Sequence, residues 1–137
     1  MWVVWEPRFL SILRIIVGLL FLQHGLAKIF GFPPLPNHAP YQLFTLVPGV
    51  AGILEAGGGA LVALGLFTRP AAFILSGEMA AAYFMAHAPR GFFPLLNGGE
   101  GAVLYCFVFL YFVAAGGGAW SLDRLLARDP GVGARSV

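Results

Sequence analysis

Four stretches of this chain, at roughly 9–30, 49–67, 70–88 and 100–116, are almost unbroken in apolar residues. Each is close to the ~20 residues of helix that cross ~30 Å of hydrocarbon. A lone strand in lipid would leave its backbone N–H and C=O groups unpaired, so the stretches read as helices. The rest of the chain offers no soluble alternative. Charged residues make up 10% of the 137 residues and hydrophobic ones 59%, where a soluble domain carries about 25% charge. Mean hydropathy is +0.84. The expected fold is therefore all-α: an integral membrane four-helix bundle, one domain over 1–137, with an extracytoplasmic Pro-rich loop and a short C-terminal interfacial helix.

Punctuation supports these limits. Gly31 with Pro33, Pro34 and Pro36 stops the first helix, and "GLFTRP" makes a tight turn in which Thr68 is expected to cap and Pro70 to sit in the first turn. The segment "SLDRLLAR" reads as a short amphipathic helix on the membrane surface, with Ser121 as cap and Trp120 as anchor. The first apolar run is too long for the core of a secretory signal. The end holding both termini collects Arg8, Arg14, Arg69, Arg124, Arg128 and Arg135, against Lys28 and Arg90 at the other. The positive-inside rule then puts both termini in the cytoplasm. A net charge of +2 with no basic patch excludes nucleic acid as a partner. The single cysteine, Cys106, excludes an internal disulfide and a CxxC pair.

The informative residues are the ionisable ones inside the spans, since a charge at a helix centre costs roughly 2.5–3.5 kcal/mol on insertion scales. Nearly all of those away from the terminal end fall in the outer half. His24 and Glu55 lie at similar depth, Glu78 is near the midplane, and Lys28, His87, Arg90, Asn97 and Glu100 are near the outer surface. His24 and Lys28, four apart, share a helix face. Lys28 can reach Glu55 or extend to water. Glu55 sits among Gly52, Ala56 and Gly59, small residues that let another helix approach. It must be paired or protonated, either as a structural bond to His24 or Lys28 or as a proton-transfer group. Glu78 and His87 are nine apart and face opposite ways on a straight helix, which leaves Glu78 open to an oligomer interface. "NGGE" reads equally as a capping box of Asn97 and Glu100. Tyr83, Tyr105 and Tyr111 read as packing residues. Axial haem ligation by His24 and His87 has no further support in the sequence, and no metal-ligand spacing is present.

The stretches "LRIIVGLLFLQHGLAKIFGF", "GILEAGGGALVALGLFTRPAA", "AYFMAHAPRGFFPLLNGGEGAVLYCF" and "GGGAWSLD" together resemble the DoxX family over roughly residues 11–123. The resemblance implies a bacterial or archaeal plasma (inner) membrane protein of four helices. Relatives are linked to quinone-coupled sulfur oxidation, in particular thiosulfate:quinone oxidoreductase. Others form the membrane part of an oxidoreductase complex with a superoxide dismutase and a sulfurtransferase. The family's motif positions fall on His24, Lys28, Glu55, Arg69, His87, Asn97 and Glu100. On the redox reading, Glu55 and His24 are catalytic proton groups, and Lys28, His87, Arg90, Asn97 and Glu100 bind substrate. No metal and no covalently bound cofactor is expected; quinone enters as a substrate. Oxidoreductase or sulfurtransferase proteins are the implied partners, and the small faces of the helices suggest self-association. Two rival readings stay open: a non-catalytic membrane anchor or assembly subunit, and a small-solute permease with Glu55 and Glu78 carrying protons.

Overall fold

The computed structural model describes residues 2–36 and 40–127. Arg128 and Arg135 lie outside the described residues, so they bear on orientation only through the sequence. Among the described residues there are helices and turns and no strand. Helix α1 runs Trp2–Phe30, α2 Ala51–Leu64, α3 Thr68–Ala82, α4 Pro94–Asn97, α5 Glu100–Ala115 and α6 Leu122–Ala127. A single wide turn, Leu46–Val50, leads into α2, and α3 widens in the same way over Tyr83–His87 before a tight turn at Ala88–Arg90. Trp2–Phe30 and the continuous Leu46–Leu64 are long and apolar enough to cross a membrane by themselves, and α5 is a shorter apolar helix.

Helix α1 begins seven residues earlier than its apolar run. Pro7 is tolerated inside it, and the Pro7 carbonyl accepts the Ser11 hydroxyl at 2.8 Å and the Ala119 N–H at 2.9 Å. Helices α1 and α2 approach backbone to backbone. A Cβ added at Gly25 would collide with the Ala56 backbone, and one at Gly59 with Leu22. That contact fixes the register that sets Lys28 beside Glu55. Helix α5 packs on α3 and closes the bundle onto α1 through aromatic edges. Phe21 lies 4.8 Å from Phe109 and 5.2 Å from Tyr105, centroid to centroid. The dry core is small: Val17, Phe21, Val62, Leu75, Phe109 and Phe112. Outward-facing Ile16, Ile53, Phe73, Phe84 and Phe107 stay exposed. Water would penalise such a surface by about 25 cal/mol per Å2; lipid does not.

The terminal end is held by charged groups bonded to backbone. Arg14 is fully buried. It donates to the carbonyls of Val62 (2.5 Å), Ala63 (2.6 Å), Gly117 (2.8 Å) and Trp120 (2.5 Å). It thereby satisfies the C-terminus of α2, which lacks intrahelical partners, and ties it to the loop after α5. Arg69 does the same for α5 through Val113 and Ala114. Thr68 is the first residue of α3 rather than its cap, and Phe67 takes the cap position with φ +49°. The capping oxygens come from Asp123, which accepts the Phe67 N–H at 2.7 Å and the Thr68 N–H at 2.9 Å. Burial alone would raise the Asp123 carboxyl, but those two N–H groups, the Thr68 side chain and the Arg14 guanidinium outweigh it and hold it below the usual carboxylate range. Ser121 caps α6 as its sequence suggests, accepting the Arg124 N–H at 3.3 Å.

Candidate functional site

One hollow, about 780 Å3, lies at the α6 end and is lined by Glu6, Arg69, Asp123 and Arg124 among others. Arg69 and Asp123 there close helix ends, so the hollow follows from how the turns are clamped. The outer half differs, because its buried carboxylates, Glu55 and Glu78, do not bond to backbone in this way.

Two cavities meet there. The first, about 400 Å3, lies between the Leu46–Val50 turn, α2 and α3. Its walls include Leu46, Val47, Val50, Ile74 and Met85, side chains exposed on the lipid-facing surface. Its polar lining is Lys28, Glu55 and Glu78. The second, about 270 Å3, lies toward the outer end and is lined by His24, Lys28, Glu55, His87 and Tyr105 with apolar residues. Lys28, Glu55, Met79 and Ala82 belong to both, and so form the wall between them.

The wall is an ion pair. Lys28 Nζ donates to Glu55 Oε1 at 2.5 Å, with Glu55 almost fully buried and Lys28 partly open. The second Glu55 oxygen and both oxygens of Glu78 are buried with no hydrogen-bond partner. Buried polar atoms nearly always find partners, and leaving one unpaired costs about 1–3 kcal/mol. Three such oxygens gather at one apolar cavity.

The histidines are set differently. His24 Nδ1 donates to the Leu20 carbonyl one turn back at 2.8 Å, and its ring lies edge-on to Tyr105 at 6.1 Å. His87 Nδ1 donates to the Asn97 carbonyl at 3.1 Å, and its ring stacks on Tyr83. A carbonyl can only accept, so each Nδ1 carries a hydrogen and Nε2 is the ring nitrogen left over for proton exchange. Asn97 is buried and organises the outer loop: its amide donates to the Gly91 carbonyl at 2.8 Å and its oxygen accepts the Gly99 N–H at 2.8 Å. The capping box is not formed, because Gly99 takes the cap position of α5 and Asn97 closes a turn instead. Arg90 and Glu100 are exposed and line neither cavity.

The structure thus gathers Glu55, His24, Lys28 and His87, uses Asn97 to hold His87, and leaves Arg90 and Glu100 at the margin. Glu78 and His87 do face apart, into different cavities, but Glu78 turns toward Glu55 within the chain. Two contributors stood outside the candidate site in the sequence: Glu78, left open to an oligomer interface, and Tyr105, read as packing. Glu78 carried the same signal as Glu55, a carboxylate inside an apolar run. Tyr105 carried none, since only the packing of α5 on α1 brings it to His24. Among the described residues no three His, Cys, Asp or Glu side chains gather as a metal set.

A lipid-facing helical bundle with carboxylates buried in one half is an all-α integral membrane protein. The chain belongs to the DoxX family, whose sequence profile matches residues 9–88. It is 50% identical over 123 residues to an uncharacterized protein of Haemophilus influenzae, covering 88% of this chain and 92% of that one. It is 28% identical over 137 residues to the uncharacterized membrane protein Rv3486 of Mycobacterium tuberculosis (89% and 83% covered). With inner membrane protein YqjF of Escherichia coli it shares 30% over 128 residues (82% and 88% covered). No solved structure matches the chain.

Proposed function

We propose that this chain is an inner-membrane, quinone-linked redox subunit, with both termini cytoplasmic, that passes electrons from thiosulfate or a related sulfur compound to quinone. The observation that carries the reading is the set of three unpartnered carboxylate oxygens, on Glu55 and Glu78, at a cavity walled by lipid-facing apolar side chains. Its volume, about 400 Å3, falls in the roughly 300–1,000 Å3 range of small-molecule sites. A quinone ring can enter from the bilayer, and reducing it takes two electrons and two protons. Glu78 is placed to give one proton as a general acid, and Glu55 to relay the other from the Lys28 ammonium. Lys28 gives the outer cavity the cationic donor an oxyanion needs, while Nε2 of His24 and His87, as acceptors, can hold a proton beside it. Two thiosulfates joined by a new S–S bond as tetrathionate release two electrons, which with two protons convert quinone to quinol. A sulfurtransferase or oxidoreductase partner delivers the electrons if the sulfur compound is oxidised elsewhere.

The test is thiosulfate-dependent reduction of a soluble quinone analogue by the detergent-purified protein. Turnover is expected, with Glu55→Gln and Glu78→Gln each lowering it by roughly 10²–10⁴-fold. No turnover and no quinone binding by the folded protein would refute the reading in favour of a non-catalytic anchor subunit. A permease is disfavoured because, among the described residues, the core between Arg14 and Glu78 carries no carboxylate or imidazole: Arg14 is bonded to four carbonyls, and above it pack Val17, Phe21, Val62, Leu75, Phe109 and Phe112. Open space beside Gly57, Gly77 and Gly101 leaves room for a second copy.

A further inference from the structure

The two outer cavities share one wall, and that wall is the Lys28–Glu55 pair. On one side Glu78 presents two unpartnered oxygens to apolar surroundings. On the other, His24 is exposed and His87 half-buried beside Tyr105. Across its own cavity Glu78 meets Lys28 of α1 and Glu55 of α2, and the Leu46–Val50 turn adds no titratable group. From α5 the nearest candidates are Cys106, whose carbonyl accepts the Ser76 hydroxyl at 2.8 Å, and Tyr105, which lines the other cavity.

Toward α6 the picture is different. Between Glu78 and that end lie Leu75, Ala72, Val62, Phe109 and Phe112, all buried. Below them sits Arg14, bonded to four carbonyls. Within that layer the Ser76 hydroxyl is tied to the Cys106 carbonyl, and among the described residues no carboxylate or imidazole is there for a proton to rest on, whereas one moving outward meets Glu55, Lys28 and then the histidines.

We infer that Glu78 exchanges its proton with one membrane face only, the face of the Gly31–Pro36 loop, by way of Glu55 and Lys28 and the cavity of His24 and His87. The free Glu55 oxygen is the acceptor on the Glu78 side. Inward, the Lys28 ammonium protonates the Glu55 carboxylate, the resulting acid gives that proton to an ionised Glu78, and the Lys28 amine, partly open to the outer cavity, regains a proton from water; outward, the same steps run in reverse. The inference rests on the quinone reading for its purpose: quinone reduction in this chain would draw both protons from the loop face, and quinol oxidation would release them there. It does not rest on that reading for its test.

The test uses the full chain in sealed vesicles without quinone, with its orientation scored by protease access to the C-terminal end. Infrared difference spectra follow the carbonyl stretch of protonated carboxyl groups after a pH step on one side of the bilayer. The Glu78 band is the one lost in Glu78→Gln. It is expected to follow the pH of the loop face and to ignore the α6 face until an ionophore collapses the gradient. In Glu55→Gln, an isosteric change that keeps the wall filled, the band remains but responds at least roughly tenfold more slowly. A band that follows the α6 face, or both faces equally, overturns the inference. So does the lack of any titrating band assignable to Glu78, or an unchanged rate in Glu55→Gln. A chain with no quinone activity but a loop-face response would sink the quinone reading and leave the route standing.

Discussion

Arg14→Ala should unfold the α6 end of the bundle. Arg14 is fully buried and holds four carbonyls, two at the end of α2 and two in the Gly117–Trp120 loop. Each buried acceptor left unmade costs about 1–3 kcal/mol; the Val62 carbonyl keeps the Gly65 N–H at 3.0 Å, so the other three sum to roughly 3–9 kcal/mol. Relief from holding a guanidinium out of water offsets part of this, and water entering from the surface offsets more, which favours the lower end. Against a total stability of about 5–15 kcal/mol, even ~3 kcal/mol is severe. The assay is thermal unfolding of the detergent-solubilised protein, where the drop in Tm should exceed roughly 10 °C. Arg14→Lys separates geometry from charge. An ammonium is a compact donor without the planar fork, and it cannot bridge α2 and the loop together, so most of the loss should persist. Wild-type Tm in Arg14→Lys would refute the clamp, and a loss below about 1 kcal/mol in Arg14→Ala would refute the whole reckoning.

Asp123 predicts a pH dependence. Its folded carboxyl lies below the ordinary value, so its stabilisation is complete above about pH 4 and is lost as pH falls through the lowered folded value. Asp123→Asn should lower Tm at neutral pH and flatten the acid limb of the Tm profile; an unaltered limb would assign acid sensitivity elsewhere. Gly25→Leu should separate α1 from α2, since even a Cβ meets the Ala56 backbone, costing about 1–3 kcal/mol or more together with the Lys28–Glu55 pair. Gly57→Ala, with nothing within 4 Å of the added carbon, should be neutral or gain up to about 1 kcal/mol of helix propensity; equal loss in both would discredit the close approach. Arg90→Gln and Glu100→Gln, exposed and outside both cavities, should change stability by less than about 0.5 kcal/mol and leave quinone reduction near wild type.

The apolar runs, their lengths and their Gly and Pro punctuation made the helical class readable, because lipid leaves the backbone so few choices. The depth of His24, Lys28, Glu55 and His87 followed from counting residues along helices of known rise. What could not be read was the side-chain reach across elements. Asp123 has the composition of a residue capping its own helix, yet it caps α3, because α6 folds back under the α2–α3 turn and the Asp123 N–H bonds the Gly65 carbonyl. Arg14 read as an orienting surface charge because one sequence cannot distinguish an arginine facing water from one facing four carbonyls. The capping box failed for a similar reason: Gly98 at φ +71° ends α4 and shifts the start of α5, which frees Asn97 to tie the loop to His87.

The two ends of the bundle also differ in why their charges are present. At the α6 end, Arg14, Arg69 and Asp123 bond helix termini that would otherwise be unsatisfied, so their desolvation is offset locally. In the outer half Lys28 and one oxygen of Glu55 are offset in that way, but Glu78 is not. An apolar residue at position 78 would remove two unpaired oxygens and cost the bundle no hydrogen bond. On stability alone Glu78→Leu should therefore be neutral or stabilising, while Glu55→Leu, which strands the Lys28 ammonium, should destabilise. Measured together by thermal unfolding, this pair of variants separates a carboxylate that holds helices from one that packing does not explain. If Glu78→Leu instead destabilises as much as Glu55→Leu, Glu78 has a structural partner and the case for a ligand at the apolar cavity falls with it.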